Sequence, residues 1–149
     1  MSTTNDAAKA DGYMKTCTRL VFFRMPICKP TTDFAASFKS SLGTPEAAQL
    51  VQSLTDARSE LIGTYQSSST IEVKIKAVEN YIPLLYRLLE SVSATEKLTL
   101  DKELTFEWLG AISNKGEYFK SHDILFELIM VLHTKVREFH CEHFICYGQ

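Results

Sequence analysis

The stretch Lys97–Phe139 decides the fold. It begins KLTLDKELTFEWLGA, passes through a short polar loop and continues SHDILFELIMVLHTKVREF from Ser121. The first half alternates apolar and polar residues around Trp108, which predicts a β-strand over Leu98–Leu109. The second half is densely apolar, so it predicts a buried helix that begins near Ser121 and ends near Phe139. The intervening Gly110–Lys120, which contains two glycines, is predicted to be a loop.

Two amphipathic helices are predicted before this stretch. Thr44-Pro45-Glu46 begins the first, because a capping hydroxyl, a proline and an acid suit the first turn of a helix. This helix is predicted to end near Tyr65, and the second begins at Ile71 and contains Pro83, which is expected to kink it. The short polar connector between them predicts an antiparallel hairpin. The two apolar stripes are Ala47, Leu50, Leu54, Ala57, Leu61 and Tyr65, and Ile71, Ile75, Val78, Ile82, Leu85, Leu89 and Val92.

The segments nearer the N-terminus predict short elements. Cys17–Phe23 is rich in Val and aromatic residues and is predicted to be a strand. Met25–Pro30 has two prolines, so it must be extended or turned. Asp33 is predicted to cap a short helix that runs through about Leu42, with Gly43 at its end. The fold class predicted for the whole chain is therefore α+β, predominantly helical, with a small N-terminal β-sheet.

Composition narrows the classes of function. The chain has 149 residues, 45% of them hydrophobic and 23% charged, which excludes wholesale disorder. The net charge is −2 and no basic patch interleaves with aromatic residues, so no nucleic-acid partner is predicted. The longest near-apolar run, Ile124–Leu132, is far shorter than the roughly 20 residues of a membrane span. We expect a cytoplasmic protein without a membrane span.

Few residues in the sequence are candidates for catalysis or metal binding. The densest group of soft ligands is His140, Cys141, His143 and Cys146, but structural zinc sites usually combine two separated pairs of ligands. Nucleophilic cysteines need a base and an orienting group, and no such signature surrounds any of the cysteines, which are Cys17, Cys28, Cys141 and Cys146. We therefore predict no enzyme, no catalytic residue, no metal site and no cofactor. An enzyme built on Cys141 and His143 and a zinc-binding tail are the weaker alternatives.

Glu127 and Trp108 are predicted to be structural. Glu127 interrupts the most apolar helix, and a buried carboxylate must be paired or hydrogen-bonded. Its expected partner is a Lys, an Arg, a backbone amide or the indole N–H of Trp108. Trp108 itself is expected in the core, packed on the final helix.

Four segments together resemble the Bro-one domain family, the ESCRT-associated family of Alix-like and Brox-like proteins. The resemblance spans about Phe22 to Phe139. The segments are an extended apolar-proline entry at Phe22–Pro30, an L-x-x-x-R-x-x-L/I helix with Leu54, Arg58, Leu61 and Ile62, an aromatic-plus-Leu-pair helix at Tyr81–Leu85, and an F-x-W strand at Phe106–Trp108 followed by an F-E helix at Leu125–Leu128.

The resemblance implies a non-enzymatic adaptor or scaffold in endosomal sorting and protein transport. Family domains carry a small sheet and a tetratricopeptide-like helical stack, and they bind the C-terminal helix of ESCRT-III subunits in a groove. The N-terminus is polar and lacks an apolar core, so residues 1–16 are predicted to be a flexible leader. By the resemblance, 17–139 are the N-terminal part of a Bro-one-like domain and 140–149 are a divergent tail. The chain would then be a truncated isoform or fragment, incomplete for ESCRT-III binding and endosome-associated through its parent. No partner-binding residue is assigned, because the groove lies mostly beyond this part of the family domain.

The last helix leaves an alternative open. Ile124–Leu132 is apolar on almost all sides, which predicts a helix in the middle of a stack. The hairpin and the strands could cover only one or two of its sides, so a contiguous exposed patch is expected. The alternative to an ESCRT adaptor is an independent helical interaction protein that forms a homodimer through this helix.

Overall fold

The structure is a computed structural model that describes residues 26–93, 98–109 and 117–146, with side chains described up to residue 139. The described residues are mostly helical and carry a small antiparallel sheet, which confirms the α+β class. The predicted strand Cys17–Phe23 lies outside the described residues. The elements in chain order are β1 (Ile27–Cys28), α1 (Phe34–Ser37), a 3-10 helix (Lys39–Gly43), α2 (Pro45–Gln66), α3 (Ile71–Ser93), β2 (Phe106–Leu109), β3 (Tyr118–Ser121) and α4 (Ile124–Cys146).

The predicted helical hairpin forms. The Thr44 hydroxyl accepts a hydrogen bond from the Ala47 N–H at 3.4 Å, and Pro45 occupies the first turn of α2, as predicted. Residues at the start of α2 share a surface cleft with Arg87 from the end of α3, so the two helices are antiparallel. Helix α3 continues through Pro83, whose side chain is exposed.

Helix α4 packs on α3 and completes the core. Lys135 of α4 forms a 3.0 Å ion pair with Glu79 of α3 at the edge of this contact. Val78 and Leu85 of the predicted α3 stripe are fully buried, as expected. Elsewhere the buried line lies one position away, because Tyr81 and Leu88 are fully buried whereas Ile82 and Leu89 are only partly buried. The largest fully buried apolar side chains are Trp108, Tyr81, Phe34, Phe38, Phe106, Leu54, Leu61, Leu85, Leu88 and Leu104.

The sheet has the order β1-β2-β3, with antiparallel pairs on both sides of β2. Trp108 pairs with Cys28 on one side and with Phe119 on the other. Strand β1 lies in the proline-flanked segment that was predicted to be extended. The alternation around Trp108 does place Phe106 and Trp108 inward, since both are buried.

The predicted strand Leu98–Leu109 is wrong over its first eight residues, since β2 begins at Phe106. The backbone of the earlier residues is bonded elsewhere. The Asp101 N–H donates to the Ser37 carbonyl at 2.8 Å, and the Asp101 carboxylate accepts from the Ser40 N–H. The Thr99 N–H donates to the Ser41 hydroxyl. The backbone N–H groups of this segment are therefore bonded to the region around the 3-10 helix, and they cannot also form the hydrogen bonds of a β-sheet.

The predicted loop Gly110–Lys120 is wrong at its end, because residues from Tyr118 onward form β3. Lys120 pairs with Glu107 and Ser121 pairs with Phe106. Ser121 therefore belongs to the sheet, and α4 begins at Ile124 instead of near Ser121. The Asp123 carboxylate accepts from the Leu125 N–H at 2.8 Å and supports the new start.

Two further helix boundaries differ from the prediction. The Asp33 carboxylate caps α1 through the Ala36 N–H at 3.0 Å, as expected. This helix stops at Ser37 and a 3-10 helix follows, because Phe38 is buried with a non-helical backbone. Helix α4 does not end near Phe139 but continues to Cys146. No Gly or Pro interrupts the sequence between these two residues.

Candidate functional site

Glu127 is the centre of a buried polar cluster. Its side chain is fully buried on the inner face of α4. Oε1 accepts from Arg58 Nε at 3.0 Å and from the Tyr81 hydroxyl at 3.1 Å. Oε2 accepts from the indole N–H of Trp108. The prediction that Glu127 pairs with an Arg or with Trp108 is therefore confirmed, and it pairs with both.

Arg58 carries the opposite charge of this cluster, from the middle of α2. Its Nη1 donates to the Lys29 carbonyl at 2.7 Å, and its guanidinium carbon lies 5.9 Å from the centroid of the Phe106 ring. Burial is the largest single influence on the pKa of Arg58 and lowers it, but the neighbouring Glu127, Tyr81 and Cys28 together outweigh burial, so the pKa is raised. Among the described residues, Nη2 has no hydrogen-bond partner. Arg58 is therefore a fixed cation inside the core.

Tyr81 contributes a buried hydroxyl from α3. Burial raises its pKa well above the ordinary value, and the neighbouring Glu127 charge raises it further. The hydroxyl therefore keeps its proton and acts as a donor to Glu127 at neutral pH. The cluster thus joins α2, α3, β2 and α4 through one carboxylate, and the Lys29 carbonyl adds the end of β1.

Sequence reasoning did not place Arg58 and Tyr81 in this cluster, although the signal was present. Arg58 follows Leu54 by four residues and precedes Leu61 by three, so it lies on the apolar stripe of its helix. Tyr81 stands between Val78 and Leu85 in the same way. A charged or hydroxylated residue inside an apolar stripe indicates a buried polar partner.

Cys28 lies beside the cluster and remains a thiol. Its side chain is buried, and burial raises its pKa from 9.0 to about 12 against a smaller lowering by Arg58. A nucleophilic cysteine needs a lowered pKa, so this environment opposes catalysis by Cys28. The other cysteines and the predicted soft-ligand group, His140, Cys141, His143 and Cys146, lie outside the side chains that the structure describes.

A second buried carboxylate lies further along α4. Glu138 is buried near the Tyr65 hydroxyl, and burial together with this nearby charge raises the pKa of Tyr65. The two side chains do not meet the geometry of a hydrogen bond, so Glu138 Oε1 and the Tyr65 hydroxyl lack a partner among the described residues. Within those residues, no group of three or more His, Cys, Asp or Glu side chains is placed to hold a metal ion.

A surface cleft of about 530 Å³ lies between the start of α2 and the end of α3. Its lining includes Glu46, Leu50, Arg87 and Leu98, a mixture of charged and apolar side chains. The Thr44 hydroxyl in its wall is engaged as the cap of α2. The lining contains neither His nor Cys, so no nucleophile–base pair of those types is assembled there.

The outer face of α4 is apolar and exposed. The predicted exposed patch on this helix is therefore confirmed. Its exposed large side chains are Leu125, Ile129, Leu132, Val136 and Phe139. This face is the best candidate for a protein-binding surface in the described part of the chain.

None of the helices in the described ranges has the length and hydropathy that a membrane crossing requires. No protein-family model, curated protein or solved structure matches this chain.

Proposed function

We propose that this chain is a Bro-one-like structural unit and that it acts as a non-enzymatic adaptor in ESCRT-associated protein transport. The α2–α3 hairpin and α4 would be the first layers of a tetratricopeptide-like stack, in which each helix pair buries its apolar face against the next. The sheet would stand at the N-terminal end of that stack.

One observation supports this proposal above the others. The segments that carry the resemblance meet at Glu127, since Arg58, Tyr81 and Trp108 each belong to one of them and each donates to this carboxylate. Residues far apart in sequence thus have one shared structural role. A buried polar cluster specifies which elements pack together, because every misalignment would leave a buried charge or donor without a partner.

The buried polar side chains that the structure describes also favour a binding function over a catalytic one. Glu127 accepts three hydrogen bonds from the protein and has no exposed surface, so it cannot reach a substrate. Cys28 holds its proton at neutral pH. The polar side chains of the cluster therefore stabilise the fold, and the exposed outer face of α4 is left for contact with other proteins.

The proposed partner is the C-terminal amphipathic helix of an ESCRT-III subunit, held in an apolar groove as helices commonly are. No groove residue of this chain is assigned. Such recognition uses apolar residues at helical spacing on the bound helix, with polar residues at the rim of the groove.

The test is recovery of ESCRT-III subunits with the endogenous protein, captured by an antibody raised against Pro45–Gln66. We expect at least one subunit to be enriched over a matched capture from cells in which the gene is deleted. The same capture gives the mass of the endogenous species for comparison with the 16.9 kDa of this chain. Recovery of this protein without any ESCRT-III subunit would contradict the proposal.

A further inference from the structure

Helix α4 presents a continuous apolar strip on its outer face. The strip consists of Leu125, Ile129, Leu132, Val136 and Phe139, all of them exposed. These residues are spaced alternately four and three apart, which is the spacing of the a and d positions of a heptad repeat. We refer to them as the α4 strip.

The opposite side of α4 is anchored to the protein. Glu127 and Thr134, seven residues apart, are both fully buried and occupy the heptad position farthest from the a and d seam. Helix α4 is therefore already formed and held with its strip outward. An isolated helix of two heptads would be marginal in water, but here the cost of forming the helix is met by its buried face.

The side chains of the α4 strip have the composition of the apolar seam in a two-stranded coiled coil. Ile129 and Val136 occupy a positions. Leu125, Leu132 and Phe139 occupy d positions, of which the first two are Leu. β-branched residues at a with Leu at d favour two-stranded parallel pairing. The strip is thus complementary to itself, with no polar residue within it.

The flanks of the strip do not oppose pairing of identical chains. Lys135 borders the seam, but its ammonium is bound to Glu79 of the same chain at 3.0 Å and lies 5.8 Å from the centroid of the Phe139 ring. The positive charge of Lys135 is therefore neutralised by Glu79 of the same chain in the monomer. Leu128, seven residues earlier on the same border, is buried in the core of its own chain. Phe126, which is partly buried, and His133, which is exposed, lie on the other border.

The size of the strip suits a small dimer interface. Five large apolar side chains at these exposures offer a few hundred Å² on each chain, which matches the largest apolar patch of a typical monomer. Two such patches and the stems that flank them approach the ~1,000 Å² that a specific interface requires.

We propose that the α4 strip pairs with the same strip of a second copy of this chain, giving a two-fold symmetric dimer. In an isologous contact each residue of the seam meets its equivalents on the partner, so one apolar face covers the other. This inference rests on α4 alone, and a dimer formed through the α4 strip would compete for it with any further layer of the proposed stack.

The test is the mass of the purified chain in solution by sedimentation equilibrium, at about 1 to 100 μM. We expect a species of twice 16.9 kDa. The double variant Ile129→Lys/Val136→Lys places like charges at the a positions and should raise the dimer dissociation constant by at least ~100-fold, giving a monomer. Both side chains are more than half exposed, at 62% and 54%, so the variant should keep the fold. The emission of buried Trp108 reports this directly.

The matched control is Val73→Lys/Tyr86→Lys, which changes two similarly exposed apolar residues of α3. It should remain a dimer. A wild-type chain that stays monomeric over the whole range would overturn the proposal and leave the strip for a different molecule. A dimer that persists in the Ile129→Lys/Val136→Lys variant would also overturn it, because the contact would then lie elsewhere.

Discussion

The indole N–H of Trp108 on β2 donates to Oε2 of Glu127, which lies 19 residues later on α4. Both side chains are buried, at 1% and 0% exposure, so neither group can exchange this bond for one to water. A hydrogen bond to a buried charge is stronger than one between neutral groups. This bond therefore fixes the sheet against the last helix.

Replacing Trp108 by Phe tests that bond. Phe keeps an aromatic ring but has no N–H, so Oε2 of Glu127 loses its donor inside the core. We expect the free energy of unfolding to fall by about 2–4 kcal/mol, including the lost ring volume. Urea unfolding followed by far-UV circular dichroism measures it. The control is Phe119→Leu, at the paired but exposed position on β3, which should change stability by less than ~0.5 kcal/mol. Equal effects at the two positions would contradict the buried arrangement.

Tyr81→Phe removes only the hydroxyl that donates to Glu127 at 3.1 Å. We expect a loss of about 1–3 kcal/mol, since the bond is buried and its acceptor is charged. Tyr86→Phe is the matched control on the same helix, because Tyr86 is 52% exposed. This control should be nearly neutral in the same urea titration. A Tyr81→Phe protein as stable as wild type would show that the hydroxyl does not contribute to the cluster.

Stability should fall at alkaline pH, beginning with Cys28. Its pKa is raised from 9.0 to about 12, so between these values the folded chain holds a proton that the unfolded chain releases. The contribution is fully present below pH 9 and is lost as pH rises toward 12. Between pH 8 and pH 10 we expect the wild type to lose ~1 kcal/mol more than Cys28→Ala, which retains the smaller losses from Tyr65 and Tyr81. Urea titrations of both proteins at these two pH values test this. Parallel losses in the two proteins would exclude Cys28 as the source.

The helices could be predicted from the sequence because their signals are local. Thr44-Pro45-Glu46 carries its capping chemistry within one turn, and the apolar stripe behind it persists for several turns. It could also be predicted that Glu127 is paired or hydrogen-bonded, because a buried carboxylate must be. Of its three partners, only Trp108 could be named as a specific residue from the sequence.

The strand boundaries could not be predicted, because they depend on distant backbone groups. Leu98–Thr105 has the alternation of a strand, but the Ser37 carbonyl and the Ser41 hydroxyl take its N–H groups. Tyr118–Ser121 becomes a strand because β2 offers it a free edge. Similarly, the charge of Arg58 suggests an exposed residue, whereas its position on the apolar stripe of α2 indicates a buried one. Only the second of these two signals identifies it as a core residue.

The coupling between Arg58 and Glu127 tests the central claim most directly, because the claim is that one buried charge pair organises the fold. The measurement is a double-mutant cycle with Arg58→Met, Glu127→Gln and both together, read as the free energy of unfolding in urea. Each single change leaves a buried charge unpaired and should cost about 3–5 kcal/mol. The double variant leaves no unpaired buried charge. Its loss in the free energy of unfolding should therefore be smaller than the sum of the two single losses by at least ~2 kcal/mol. Losses that add to within ~0.5 kcal/mol would mean that the two side chains do not act as a pair.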